Sequence, residues 1–197
     1  MKEYDQTYYD RWYRSRRAVI TPASRQRKVR LAVAAAEFVL GRDIRSVLDI
    51  GCGEAAWRAD LRRMRPEISY QGIDPSEYVV QRFGKRRDIR LGSFETLHLL
   101  GLRRRFDLIV CADVVAYVPT SDLQRGLGAI RKRLNGVAYI EAYAESDALI
   151  ADFDGWHHRT ETEYREAFRR AGLIACGLHC YVPREKRHLL AALEHCA

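Results

Sequence analysis

The sequence has no long run of apolar residues. None of its apolar stretches approaches the roughly 20 residues that a membrane-spanning helix needs, so we expect a soluble protein with no membrane partner. No apolar signal segment is visible, and the five cysteines are an odd number without a Cys-x-x-Cys pair. These absences predict a reduced, cytoplasmic protein and exclude a small scaffold held together by disulfides.

Metal-binding spacing is also scarce. Cys176, His179 and Cys180 look like half of a zinc knuckle, but no second ligand pair with zinc spacing accompanies them. We therefore predict no metal site, and we expect the thiols to pack in the core or against it.

Basic residues outnumber acidic ones. Lys and Arg total 34 against 26 Asp and Glu, which gives a formal net charge of +8, and nearly all of the excess is arginine. Such a surplus can mark a nucleic-acid-binding protein. Here the arginines are spread along the chain, which is more typical of solvated faces, so a nucleic-acid partner stays an alternative.

The length of 197 residues fits one domain. Residues 1–20 are rich in aromatic and charged side chains, and we predict that they form an N-terminal lid segment ahead of a single domain over 21–197. The lid residues would be Tyr8, Tyr9, Trp12 and Tyr13. Packing of these side chains on a sheet edge is the equal alternative.

Strands and helices alternate along the rest of the chain. A helix is expected from Thr21 and Pro22 to Gly41, and a capping box of Thr160 and Glu163 begins the last helix, which ends at Gly172. The other predicted helices are 55–64, 76–83 and 123–134, and the predicted strands are 47–50, 68–73, 89–91, 106–111, 137–143, 174–182 and 189–193, the last two joined around Pro183. This order predicts an α/β fold with a Rossmann-like, doubly wound seven-stranded sheet, mostly parallel with one antiparallel terminal strand.

The stretch "SVLDIGCGEAAW" predicts a ligand site at the end of the first strand. Gly51 and Gly53 permit positive φ angles and close approach of a ligand, and the following helix offers free backbone N–H groups. Asp74 ends the second strand. Its sequence spacing from the glycine-rich turn is that of a carboxylate that accepts hydrogen bonds from ribose hydroxyls. Together these features predict a bound nucleoside.

Two classes of nucleoside ligand compete for this site. Gly51, Gly53 and Ala56 satisfy the G-x-G-x-x-A pattern of dinucleotide-binding proteins, so an NAD-linked oxidoreductase stays open. Asp49, just before the turn, would repel a pyrophosphate but attract a cation. This carboxylate favours a sulfonium ligand.

At this point the sequence resembles the class I S-adenosylmethionine-dependent methyltransferases of the small-molecule type. "VLDIGCGEA" is similar to their first motif, "YQGIDPSEY" to their ribose-binding segment, and "FDLIVCADVVAYVP" to their fourth strand with the helix after it. The segments "LIACGLHCYVP" and "HLLAALE" are compatible with the antiparallel hairpin that ends their fold. The resemblance implies S-adenosylmethionine as the cofactor.

The resemblance also implies roles for individual residues. Asp49 would lie near the amino-acid end of the cofactor, with Gly51 and Gly53 along its methionine and ribose portions and Asp74 on the ribose hydroxyls. The remaining cofactor-binding residues would be Pro75, Ser76, Ser93 and Phe94 around the adenine, and Cys111 and Ala112 with backbone carbonyls toward the ammonium group. The chain departs from the family at Ala55, where a third glycine is frequent, and at Ser93, where an adenine-binding Asp is common.

Methyl transfer from a sulfonium is an in-line displacement that depends mainly on alignment and exclusion of water, with a general base where the acceptor carries a proton. The catalytic candidates are His157, His158 and Asp113. Tyr117 and Trp156 are candidates for an acceptor pocket. An exposed loop with solvated imidazoles, and an Asp113 that only caps a turn, are the alternatives.

The leading hypothesis is therefore methyl transfer from S-adenosylmethionine to a small-molecule acceptor. An RNA or protein methyltransferase that uses the basic surface is the second hypothesis, and a non-catalytic cofactor-binding protein is the third. Oligomeric state and the identity of the acceptor do not follow from the sequence.

Overall fold

The computed structural model describes residues 21–147 and 153–192 of the chain. In these residues helices alternate with the strands of one sheet. The helices are α1 (Pro22–Leu40), α2 (Ala56–Met64), α3 (Glu77–Arg87), α4 (Thr120–Arg133) and α5 (Glu161–Ala171), with short 3₁₀ helices at Leu97–Leu99, Val115–Tyr117 and Arg184–Leu189. The strands are β1 (Ser46–Ile50), β2 (Ser69–Asp74), β3 (Ile89–Leu91), β4 (Phe106–Cys111), β5 (Leu134–Ile140), β6 (Leu173–Ala175) and β7 (Cys180–Pro183).

The seven strands form one sheet in the order β3-β2-β1-β4-β5-β7-β6. Strands β1 to β5 pair in parallel, and β7 runs antiparallel to both of its neighbours. Every residue of β4 is buried, as expected for a central strand covered on both faces. The predicted Rossmann-like, doubly wound sheet with one antiparallel terminal strand is confirmed.

The predicted hairpin at the end of the chain is wrong in its boundaries. The segment 174–182 is not one strand, because the chain reverses at Gly177, Leu178 and His179, which have φ angles of 87°, 50° and 62°. Three successive left-handed residues turn the backbone, and the turn separates β6 from β7. Leu189, expected to start the last strand, instead ends the 3₁₀ helix that follows β7.

The boundary between α4 and β5 also differs from the prediction. Asn135 and Gly136 were expected to end the helix, yet the strand begins at Leu134 and both residues belong to it. A Cβ on Gly136 would overlap the carbonyl oxygen of Asp107 in β4. The glycine is therefore used for close approach of two strands and not for a helix terminus.

Two apolar layers cover the two faces of the sheet. One layer contains Val33 of α1, Trp57 of α2 and Val79 of α3, packed against side chains of β1, β2, β4 and β5. The opposite layer contains Leu127 of α4 and Phe168 of α5. Trp57, in the first turn after the glycine-rich loop, is a core residue, and its ring centroid lies 5.3 Å from that of Tyr139 in β5.

The predicted helix signals act as expected. The Thr21 hydroxyl accepts a hydrogen bond from the Ser24 amide, and Gly41 ends α1 in the left-handed conformation. Thr160 and Glu163 form both hydrogen bonds of a capping box.

None of the helices in the described part of the chain is long and apolar enough to cross a membrane. Among these residues Cys52, Cys111, Cys176 and Cys180 are free thiols.

Candidate active site

The strand order creates a crevice at the carboxyl edge of the sheet. β1 lies between β2 and β4, so the connection after β1 and the connection before β4 run to opposite sides. A ligand in an open α/β sheet binds in the crevice at such a reversal. The loops after β1, β2 and β4 all end there, and they carry most of the residues predicted to bind the cofactor.

The glycine-rich loop is folded tightly against the end of β2. The amides of Gly51 and Cys52 both donate to the carbonyl oxygen of Ile73, at 2.8 and 3.1 Å. Gly51 has a φ of 68°, and a Cβ at this position would overlap the Val114 side chain. Gly51 is thus required both by its backbone conformation and by the loop that follows β4.

Asp74 connects the glycine-rich loop to α3. One carboxylate oxygen accepts a hydrogen bond from the Gly53 amide at 2.7 Å, and the other accepts one from the Ser76 amide at 3.0 Å. The side chain is buried. The Ser76 hydroxyl accepts from the Val79 amide and caps α3. The carboxylate is therefore fixed at the carboxyl end of β2, where a ribose would lie.

Asp49 is a buried acid beneath the glycine-rich loop. The Tyr70 hydroxyl donates to it at 2.7 Å. Burial raises the pKa of Asp49 to about 7, the nearby charge of Asp74 adds to the increase, and the Tyr70 hydrogen bond opposes it. A carboxylate with so little compensation is stabilised by a cation, so this site fits a ligand with a positively charged amino-acid end and disfavours a pyrophosphate.

The residues predicted around the adenine differ in the exposure and the contacts of their side chains. Pro75 is exposed at the edge of the crevice. The Ser93 hydroxyl exchanges hydrogen bonds with Thr96 in a local turn. The Phe94 ring is 1% exposed and packs against Gly126 of α4, so its side chain belongs to the core. Contact of these residues with an adenine stays a prediction.

The end of β4 forms the floor of the crevice. The Cys111 side chain points into the core, and its carbonyl oxygen already accepts a hydrogen bond from the Glu141 amide at 3.0 Å. Ala112 follows, and Asp113 adopts the left-handed conformation with a φ of 57°. The predicted carbonyl contacts of Cys111 and Ala112 with a cofactor ammonium stay predictions.

The loop before α5 places an aromatic cluster beside the end of β4. Tyr117 and Trp156, predicted to line an acceptor pocket, lie together with ring centroids 6.1 Å apart. The Trp156 ring is nearly parallel to that of His158, at 6.3 Å. His157 is exposed, and its amide donates to the carbonyl oxygen of Ala116 at 2.7 Å. A catalytic role for either imidazole stays a prediction.

Arg159 holds this loop onto the segment after β4, and its role was missed in the sequence. Its guanidinium is buried and donates to the carbonyl oxygens of Val115, at 3.2 Å, and of Val118. It also contacts the Thr120 hydroxyl. The signal was weak, because a single arginine in an exposed-looking loop is usually solvated.

A second polar cluster, also missed, lies at the carboxyl edge of β5. The buried carboxylate of Glu141 accepts a hydrogen bond from the Tyr139 hydroxyl at 2.7 Å and pairs with Lys28 of α1 at 2.5 Å. His179 and Tyr143 complete the cluster, with ring centroids 5.2 Å apart. We call these five residues the β5-edge cluster. They are distant in the sequence, and only the alternation of Tyr139, Glu141 and Tyr143 hinted at a shared face.

Part of the predicted site lies outside the described residues. Tyr8, Tyr9, Trp12 and Tyr13 belong to the segment 1–20, so their role as a lid stays a prediction. The same is true of the division into an N-terminal segment and a domain over 21–197.

Comparison with known proteins agrees with this geometry. A family model described as a methyltransferase domain matches residues 13–185. The S-adenosylmethionine-bound structure of CalS10, an amino pentose methyltransferase from Micromonospora echinaspora, superimposes with a TM-score of 0.64 and 17% identity over 90% of this chain and 94% of that one. DesVI of Streptomyces venezuelae gives a TM-score of 0.61 and 16% identity, over 82% of this chain and 91% of its own.

A third solved structure is the plantazolicin methyltransferase BpumL, in complex with S-adenosylhomocysteine and a pentazolic desmethylPZN analogue. It gives a TM-score of 0.62 and 16% identity over 82% of this chain and 66% of that one. A search of curated proteins found no match. At these identities the structures show a shared fold, and the family match covers most of the sequence. The chain therefore belongs to the methyltransferase domain family, as a class I S-adenosylmethionine-dependent methyltransferase.

Proposed function

We propose that the protein transfers a methyl group from S-adenosylmethionine to a small-molecule acceptor bound over the ends of β4 and β5. The observation that carries this proposal is the pair of buried carboxylates, Asp49 and Asp74, on either side of a glycine-rich loop at the reversal of strand order. One fits a cationic amino-acid end, and the other fits ribose hydroxyls. The amino pentose acceptor class of CalS10 supports a small acceptor here.

The roles of the residues follow from their positions. Asp74 orients the ribose, Asp49 faces the cationic end, and Gly51 and Gly53 leave room for the cofactor along the loop. When bound, the cofactor supplies an electrophilic methyl group on a positively charged sulfur. The protein itself has to hold the acceptor in line with that group and exclude water. Tyr117 and Trp156 offer an apolar wall for this purpose beside the end of β4.

Titration calorimetry with S-adenosylhomocysteine tests the cofactor half of the proposal. We expect saturable binding to the wild-type protein, and no comparable binding of NADH because the buried charge of Asp49 disfavours a pyrophosphate. Absence of heat and of thermal stabilisation by S-adenosylhomocysteine at high micromolar concentration would refute the proposal. Stabilisation by NADH instead would favour the oxidoreductase alternative.

The acceptor half is tested by formation of S-adenosylhomocysteine with a panel of small amines, alcohols and thiols. Tight cofactor binding without turnover on any acceptor would favour a non-catalytic protein. Turnover on mixed RNA, with affinity that falls steeply as salt rises, would favour the nucleic-acid alternative.

The surface supports the small-molecule proposal over the nucleic-acid alternative. Many of the arginines pair with acids of the same chain, so these guanidinium groups have neighbouring negative charges and do not form one uninterrupted basic patch. These arginines are Arg25, Arg42, Arg58, Arg62, Arg63, Arg65, Arg87, Arg125, Arg131 and Arg170.

A further inference from the structure

The β5-edge cluster lies beside the proposed acceptor position but belongs to neither the cofactor residues nor the aromatic cluster. β7 starts where β5 ends, and the Ile140 amide donates to the His179 carbonyl oxygen at 2.9 Å. This pairing brings the His179 imidazole to the carboxyl edge of β5. The centroid of its ring lies 6.1 Å from that of Tyr139 and 5.2 Å from that of Tyr143, both in a T-shaped arrangement.

The backbone at this edge is held in a costly conformation. Asp113 after β4 and His179 before β7 both have left-handed φ angles, 57° and 62°. A non-glycine residue in this region is strained, and strained residues concentrate at functional sites. Both residues lie on loops that end at the same edge of the sheet, one on each side of β5.

The electrostatic surroundings of the cluster are acidic. The negative charges of Glu141 and Asp147 raise the pKa of both His179 and Tyr143, and that of Asp113 raises the pKa of Tyr143. Within residues 21–147 and 153–192, the positive charge that acts on His179 is the ammonium of Lys28, which is paired with Glu141. The excess of negative charge favours a cationic acceptor, and the tyrosine rings add faces that attract an ammonium group.

His179 is chemically suited to accept a proton. It is half-buried, and burial lowers the pKa of its imidazole below the usual value, with Lys28 acting in the same direction and with Glu141 and Asp147 opposing. The lowered pKa favours the neutral form of the imidazole. A neutral imidazole has a nitrogen lone pair available as a base.

We propose that His179 is the general base of the reaction and that the acceptor is a small amine, recognised as an ammonium by the acidic β5-edge cluster. This inference rests on the proposed methyl transfer. The proton leaves the acceptor ammonium for an imidazole nitrogen of His179, and the freed nitrogen lone pair forms the new N–C bond. The electron pair of the broken C–S bond stays on sulfur, and the imidazolium returns its proton to solvent.

Three matched pairs of small molecules test the acceptor class, namely benzylamine with benzyl alcohol, tyramine with tyrosol, and glucosamine with glucose. Binding of each compound to the wild-type protein saturated with S-adenosylhomocysteine is measured by calorimetry, and methyl transfer is measured separately. We expect at least one amine to bind at least 10-fold more tightly than its matched alcohol and to be methylated. Equal binding of amines and alcohols, or no amine binding by protein that binds S-adenosylhomocysteine, would overturn the acceptor class.

The base is tested with the His179→Gln variant and with His188→Gln as its matched control, since His188 is exposed on the 3₁₀ helix after β7. We expect His179→Gln to lower kcat for the amine at least 100-fold, the lower range for general base catalysis, with the affinity for S-adenosylhomocysteine changed less than twofold. The wild-type rate should rise with pH to a plateau as the His179 imidazole loses its proton, and the variant should lose this step.

The outcomes separate the two proposals. An unchanged rate in His179→Gln, with cofactor binding intact, would overturn the base while leaving methyl transfer in place. Failure of the wild-type protein to bind S-adenosylhomocysteine would overturn the proposed function, and this inference with it. Direct titration of the histidine signals by NMR adds a readout independent of turnover, and a His179 pKa above 7 would count against the base.

Discussion

The carboxyl edge of the sheet has a proposed cofactor half, at the ends of β1 and β2, and a proposed acceptor half, at the ends of β4 and β5, and the two are built differently. On the cofactor half, Asp74 is held by the amides of Gly53 and Ser76, so hydrogen bonds between a side chain and nearby backbone fix its position. On the acceptor half, Lys28, Glu141 and His179 come from three separate elements, and Arg159 holds the neighbouring loop in place. A local backbone motif can be shared across a family, whereas an assembly of distant side chains can change with the acceptor.

The largest expected effect is on the acceptor half, from Arg159→Leu. This change leaves the carbonyl oxygens of Val115 and Val118 without their buried donor, and we expect a loss of about 4 kcal/mol in the free energy of unfolding. Urea denaturation measures it. Arg165→Leu, on the exposed face of α5, is the control and should change stability by less than about 0.5 kcal/mol. A similar loss in both variants would mean that the buried contacts carry no special weight.

The next effect concerns the packing of the glycine-rich loop against the loop after β4, because a Cβ on residue 51 would overlap the Val114 side chain. Gly51→Ala should cost about 3 kcal/mol of stability through overlap and positive φ together. Gly41→Ala is a matched control, since Gly41 has nearly the same φ and nothing within 4 Å of the added Cβ, so it should cost only about 1 kcal/mol. Adding Val114→Ala to Gly51→Ala should recover part of the loss. Strictly additive effects would show that the two loops are not coupled.

On the cofactor half, Asp74→Asn should weaken binding of S-adenosylhomocysteine roughly 30-fold, equivalent to about 2 kcal/mol, because an amide cannot accept from both backbone N–H groups as a carboxylate does. Calorimetry measures the affinity. Asp88→Asn is the control, since Asp88 is exposed and its carboxylate pairs with Arg58 and Arg62 on the surface. An Asp74→Asn variant with wild-type affinity would remove the ribose role.

Asp49 should make cofactor binding depend on pH. Its pKa near 7 in the free protein means that the carboxyl must lose a proton before it attracts a cation, so affinity should rise roughly tenfold per pH unit below 7 and level off above it. Calorimetry between pH 5.5 and pH 8.5 follows this change, and Asp49→Asn should remove it.

The raised pKa also predicts that Asp49 makes stability fall as pH rises from about 4 to 7, because the folded state binds the proton more tightly than the unfolded state.

The smallest expected effect is that of Ala55→Gly. Ala55 occupies the position where a third glycine is frequent in the family, and it has a left-handed φ of 59°. Glycine relieves the backbone strain there. The change also removes a buried methyl group and increases the conformational entropy lost on folding, so stability should change by less than about 1 kcal/mol. Denaturation and S-adenosylhomocysteine affinity measure the result. A large loss of either would show that the Ala55 methyl group is a required part of the loop.

The alternation of elements and the class of the sheet followed from the sequence alone, and the residues proposed to bind the cofactor were predicted from it as well. These features depend on short-range rules, such as apolar periodicity, capping residues and the spacing from Gly53 to Asp74, and such rules can be read in order along a chain. The errors were local too. Gly136 serves contact between two strands, and the left-handed turn at 177–179 divides what looked like one strand.

The residues of the proposed acceptor half come together only in the folded structure. The pairing of β5 with β7 brings His179 beside Tyr143, and the packing of α1 over β5 brings Lys28 to Glu141. It also assigned Phe94 and Trp57 to the core. No spacing rule predicts these contacts, because their members are up to about 150 residues apart and meet only when the sheet has formed.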